Sequence, residues 1–96
     1  MSCYCLFDIL EVTDPAKFDE YRMRVRPVVE KFGGRYLVAG RNFEGLEGTW
    51  RPVLPVIIQF PSLQKAHEWY DSADYLELKS PRFAACKTNA VFMEGL

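Results

Sequence analysis

Ninety-six residues with 49% hydrophobic and 26% charged side chains describe one folded domain spanning 1–96 and exclude a disordered or fibrous chain. A formal charge of −1 supplies no positive field for a nucleic-acid backbone, and the basic residues are scattered apart from Arg22, Arg24 and Arg26. The amino-terminal MSCYCLFDIL has no basic leader and reaches Asp8 after a very short apolar run, so neither a signal peptide nor a membrane span is expected, and the cytoplasm is the expected compartment.

From Tyr4 to Val12 the chain is apolar and β-prone, interrupted by Asp8. VTDPAKF then reads as a helix start, with Thr13 or Asp14 as cap and Pro15 in the first turn. The helix sets Phe18, Tyr21, Val25, Val28, Val29 and Phe32 on one stripe, opposite Lys17, Glu20, Arg24 and Lys31. Pro27 interrupts the pattern without ending it, which predicts a kink, and Gly33 and Gly34 close the helix. RYLVAG begins a second strand and VLPVIIQF forms a third, nearly all apolar except Gln59. Ser62 caps a short helix with Leu63, Ala66, Trp69 and Tyr70 facing inward. A second helical piece, ADYLELK, is expected to stop before Pro81, and TNAVFMEGL supplies a last short strand. The order βαββαβ predicts an α+β, ferredoxin-like fold: an antiparallel sheet, strand order fourth, first, third, second, with both helices on one face.

Strands about 4.8 Å apart and about 17 to 20 Å long give the helix-free face roughly 300 to 400 Å². Either alternation of the first strand, Tyr4, Leu6 and Leu10 or Cys5, Phe7 and Ile9, makes that face apolar. Covering it is worth on the order of 8 to 10 kcal/mol per chain before entropy losses, which predicts a homodimer joined through its sheets.

Three cysteines form an odd set, with Cys3 and Cys5 badly spaced for a disulfide in an extended strand. Free thiols suit a reducing compartment, and with His67 the sole histidine no metal site is expected. Cys86 reads as a buried thiol and His67 as a helix-surface residue, because neither has a catalytic partner at a useful spacing. No phosphate-binding glycine loop, dinucleotide fingerprint or Ser-His-Asp order is present.

The blocks YCLFDILEVTDPAKFDEY, GGRYLVAG, LEGTWRP, IIQFPS, AHEWYDSADY and the closing EGL resemble the small bacterial family called domain of unknown function 1330. The resemblance covers essentially the whole chain and implies a ferredoxin-like subunit of the dimeric α/β-barrel superfamily, with a cleft or cavity beside the loops and no settled activity. Superfamily relatives include cofactor-independent monooxygenases, lactone isomerases and haem enzymes. Two departures stand out. The family usually has Glu at Gln59, and the first strand here is one residue longer, with DILEVTDP for DIEVTDP.

Candidate site residues follow from polar groups in apolar places. Asp8 is the ionisable group inside the first strand and needs a partner, water or a cavity. On neighbouring strands Asp8 is expected near Gln59, with Arg35 beyond, forming either a ligand-site patch on the helix-free face or a structural network that pins register or the dimer. The loop GLEGTWRP sets Trp50 and Arg51 where cheaper turn residues would serve. Trp50 would either wall the mouth of a cavity or pack across the dimer. Arg51 would anchor a ligand carboxylate or enolate, or else pair with an acid such as Glu47. Tyr36, Tyr70 and Tyr75 offer phenolic hydrogen bonds. Two functions are open: a cofactor-independent enzyme acting on a small carbonyl or carboxylate compound, with Asp8 as proton acceptor and Arg35 and Arg51 stabilising negative charge, or a non-catalytic dimeric module binding a metabolite or protein.

Overall fold

A computed structural model describes residues 1–96 as β1 (Cys3–Val12), α1 (Pro15–Lys31), β2 (Arg35–Ala39), β3 (Pro55–Phe60), α2 (Leu63–Tyr70), α3 (Ala73–Ala85) and β4 (Cys86–Glu94). The four strands form one antiparallel sheet in the order β2-β3-β1-β4, so the expected ferredoxin-like topology is the one observed. No helix is long and apolar enough to cross a membrane.

Local chemistry sets the helix ends. Asp14 caps α1 by accepting the amide of Lys17, Ser62 caps α2 through the amide of Lys65, and Ser72 caps α3 through the amide of Tyr75. Helix α1 runs through Pro27 to Lys31, and the chain turns away at Gly33, whose φ of 82° favours glycine. Gly34 follows in a tight place against the core: a Cβ there would lie 2.5 Å from a methyl of Val29 and 2.7 Å from the Phe60 ring.

Register resolves which face of β1 is inward. Cys3, Cys5 and Phe7 pair with Phe60, Ile58 and Val56 and pack beneath the helices with Val25, Val29, Ala66, Trp69 and Leu78. Tyr4, Leu6 and Asp8 therefore alternate onto the helix-free face. There Val38, Ile57, Leu6 and Val91 form an apolar row across all four strands. A flat molecule of 38 × 37 × 16 Å results, with helices on one side only.

One element departs from expectation. Helix α3 does not stop before Pro81 but continues to Ala85 and passes directly into β4, which starts at Cys86 rather than at Thr88. Proline removes one amide and crowds the turn before it, yet Tyr75, Leu78, Arg82 and Ala85 share a stripe buried on both sides of Pro81. Tertiary packing of that stripe outweighs the local defect.

Candidate functional site

The expected polar patch divides into two. Asp8 lies opposite Pro55 on β3 and Asn89 on β4, whereas Gln59 pairs with Tyr4. Four residues along a strand is about 13 Å. Asp8 is buried, and its Oδ1 accepts the amides of Val53 and Leu54, each at 2.9 Å, so the carboxylate ties the end of the β2–β3 connection to β1. Arg35 and Gln59 do meet, with the guanidinium donating to Oε1 at 3.0 Å, and Gln59 in turn donates to Ser2 Oγ at 3.1 Å. This cluster lies on the helix-free face beside Tyr4 and Met93.

The GLEGTWRP loop is self-contained. Arg51 donates to the carbonyls of Gly48 and Trp50 and lies against Gly45, where no side chain has room. Residues 41–50 are all exposed, Trp50 at 67% and Leu46 at 92%. Neither Trp50 nor Arg51 lines the cavity between the sheet and the helices. His67 is on the surface against the edge of Phe92, and Cys86 is buried, bonding through Sγ to the carbonyl of Arg82.

A mainly apolar cavity lies elsewhere, between the inner face of the sheet and the helices. It measures about 410 Å³, within the usual range for small-molecule sites of about 300 to 1,000 Å³. Phe7, Ile9, Val56 and Ile58 form its floor, and Phe18, Tyr21 and Val25 of α1 its roof. Arg22, Met23 and Arg26 stand at the outer edge of α1, facing Tyr36, Ala39 and Gly40 of the sheet edge. Of the expected site residues, Tyr36 alone lines this space.

Two buried donors without partners line the same space. Arg82 is 5% exposed, enters no ion pair, and its Nε–H has no acceptor. The indole N–H of Trp69, 1% exposed, is likewise unpaired. Arg82 lies over the rings of Phe7 and Phe83, centroids at 5.7 and 4.7 Å. Beside it, the hydroxyls of Tyr21 on α1 and Tyr75 on α3 meet at 3.0 Å. Burial pushes both phenols up, while the Arg82 charge pulls them down in part. Burial also raises Tyr36, to about 12. These phenols thus remain protonated at neutral pH, and one proton of the Tyr21–Tyr75 pair stays free to donate beyond the pair. Arg82 escapes the sequence reading because its helix is expected to stop before Pro81, and Trp69 because its place on the inward stripe of α2 reads as core. The available signal was a lone arginine on the Tyr75–Leu78–Ala85 stripe.

Such an architecture, a split βαβ antiparallel sheet in the order β2-β3-β1-β4 with its helices on one face, defines the class of ferredoxin-like α+β proteins. Residues 2–96 match the model of the family described as Domain of unknown function (DUF1330), and the chain belongs to that family. A protein of unknown function from Rhodopseudomonas palustris shares the fold at 20% identity and TM-score 0.77, covering 99% of this chain and 82% of that one. A dimeric ferredoxin-like protein of unknown function from Jannaschia sp. CCS1 does so at 14% identity and TM-score 0.71, covering 99% and 100%. SnoaB, a cofactor-independent oxygenase from Streptomyces nogalater, is similar at 12% identity and TM-score 0.63, covering 99% and 91%. Comparison with curated proteins finds no match.

Proposed function

We propose that this chain is a homodimeric small-molecule-binding protein whose ligand occupies the cavity between α1 and the sheet in each subunit. The observation that carries the reading is the pair of buried, unpartnered donors, Arg82 and Trp69, lining one apolar space. A buried donor without an acceptor is costly, roughly 1 to 3 kcal/mol and more when charged, so a fold retains two in one cavity most simply if a ligand supplies the acceptor. Trp50, Arg51 and the Arg35–Gln59 cluster belong, on this reading, to the surface presented to the second copy rather than to the ligand. The apolar row Val38–Ile57–Leu6–Val91 supports that copy, since Val91 is 51% and Val38 41% exposed in the single subunit.

The donor set supports a catalytic reading as well, because donors aimed where negative charge develops on oxygen are what stabilise an enolate. The lining offers cations and protonated phenols but no carboxylate or imidazole. Asp8, tied to the Val53 and Leu54 amides, is therefore assigned to holding the connection rather than to proton abstraction.

A thermal-shift screen of small compounds on the wild type and on Ala39→Trp tests the site. Ala39 is exposed at the cavity mouth, so an indole there blocks entry without filling the core. Compounds that stabilise the wild type are expected to lose their effect on the variant. Stabilisation that survives would place the site outside this cavity.

A further inference from the structure

The charges around the cavity are unequal in a way that narrows the ligand. Three arginines and no carboxylate line it. Two of the three are already compensated on their own helix: Arg22 pairs with Asp19 at 3.4 Å and Arg26 with Glu30 at 3.1 Å. Both are exposed, and each also lies over an aromatic ring, Phe18 and Tyr36 respectively. Arg82 has no acid, is only 5% exposed, and its Nε–H is unpaired. One positive charge is therefore left over, at the buried end, while the mouth is electrically settled.

We infer that the ligand is an organic monoanion, a single acidic oxygen group on a compact hydrophobic body, bound with its anionic end inward on Arg82. This rests on the cavity being the binding site. A neutral carbonyl would satisfy one donor and leave the charge bare, whereas an anion satisfies both, and attraction is strongest where water is excluded. The indole N–H of Trp69 and the free proton of the Tyr21–Tyr75 pair add donors around that charge. No group at this end carries a negative charge, so an ammonium would meet the Arg82 cation with nothing to offset the repulsion. Beyond it the walls are Phe7, Val25, Val56 and Ile58, which have no partner for a second charge.

Isothermal titration with 2-naphthoate, 2-naphthalenemethanol and 2,6-naphthalenedicarboxylate reads the assignment, on the wild type, Arg82→Met and Arg82→Lys. The monoacid is expected to bind the wild type roughly tenfold or more tighter than the alcohol, and the diacid no tighter than the monoacid. Arg82→Met removes an uncompensated buried charge in favour of an apolar chain of similar reach. It should melt at a higher temperature than the wild type without ligand, yet lose the preference for the acid. Arg82→Lys should keep part of that preference, which a merely structural arginine would not show. Equal binding of acid and alcohol, a preference that Arg82→Met leaves within about twofold, or a diacid about tenfold tighter than the monoacid overturns the monoanion assignment and leaves the cavity reading intact. If none of the three binds at millimolar concentration, both fall.

Discussion

Asp8 shows how a side chain that stands out in a sequence finds its partners in the backbone of the fold. A carboxylate inside an apolar strand needs hydrogen bonds, and two adjacent backbone amides, of Val53 and Leu54, provide them. Asp8→Ala would strip the acceptor from both and is expected to destabilise by about 1 to 3 kcal/mol. Amide exchange at Val53 and Leu54 should quicken in that variant; unchanged protection there would show that the carboxylate does not hold the connection. Arg82 is the converse case, a buried cation with no acid beside it and no acceptor in the chain for its Nε–H. The sequence made Asp8 conspicuous because it interrupts an apolar run, and hid Arg82 because a proline stands immediately before it. Of the candidate site, Tyr36 was legible. Arg82 and Trp69 were not, since a lone buried donor becomes a signal only when the surrounding residues are known to leave it unanswered.

At the scale of elements, periodicity made most of the fold legible. The α1 stripe, the caps at Asp14 and Ser62 and the strand order all follow from local chemistry plus the topology rules. What local reading misjudged was the competition between Pro81 and the buried stripe it interrupts, which long-range packing against α1 decides. The turn from α1 into β2 depends on its own fine tolerance. Gly34→Ala would drive a methyl into Val29 and Phe60, both fully buried, and is expected to cost about 1 to 3 kcal/mol by chemical denaturation. A neutral result would mean that α1 can lift from β3 at no expense, which a core packed against Phe60 does not allow.

The whole molecule is a half-sandwich 16 Å thick, with helices on one side and an apolar row open on the other. A lysine at Val91 would place a charge at the end of that row. If a second copy covers the face, sedimentation should find Val91→Lys largely monomeric at concentrations where the wild type is paired, with far-UV circular dichroism unchanged. A wild type that sediments as one subunit would remove the dimer from the proposal while leaving the cavity untouched.

The join between α3 and β4 has no connecting residue, and the carbonyl of Ala85 accepts the amides of Thr13 and Asp14. One residue inserted there would either rotate the helix by about 100° or exchange the two faces of β4. The first swings Arg82 out of the chamber, and the second turns the sheet's edge inside out. Length at this point thus decides where the Arg82 guanidinium sits.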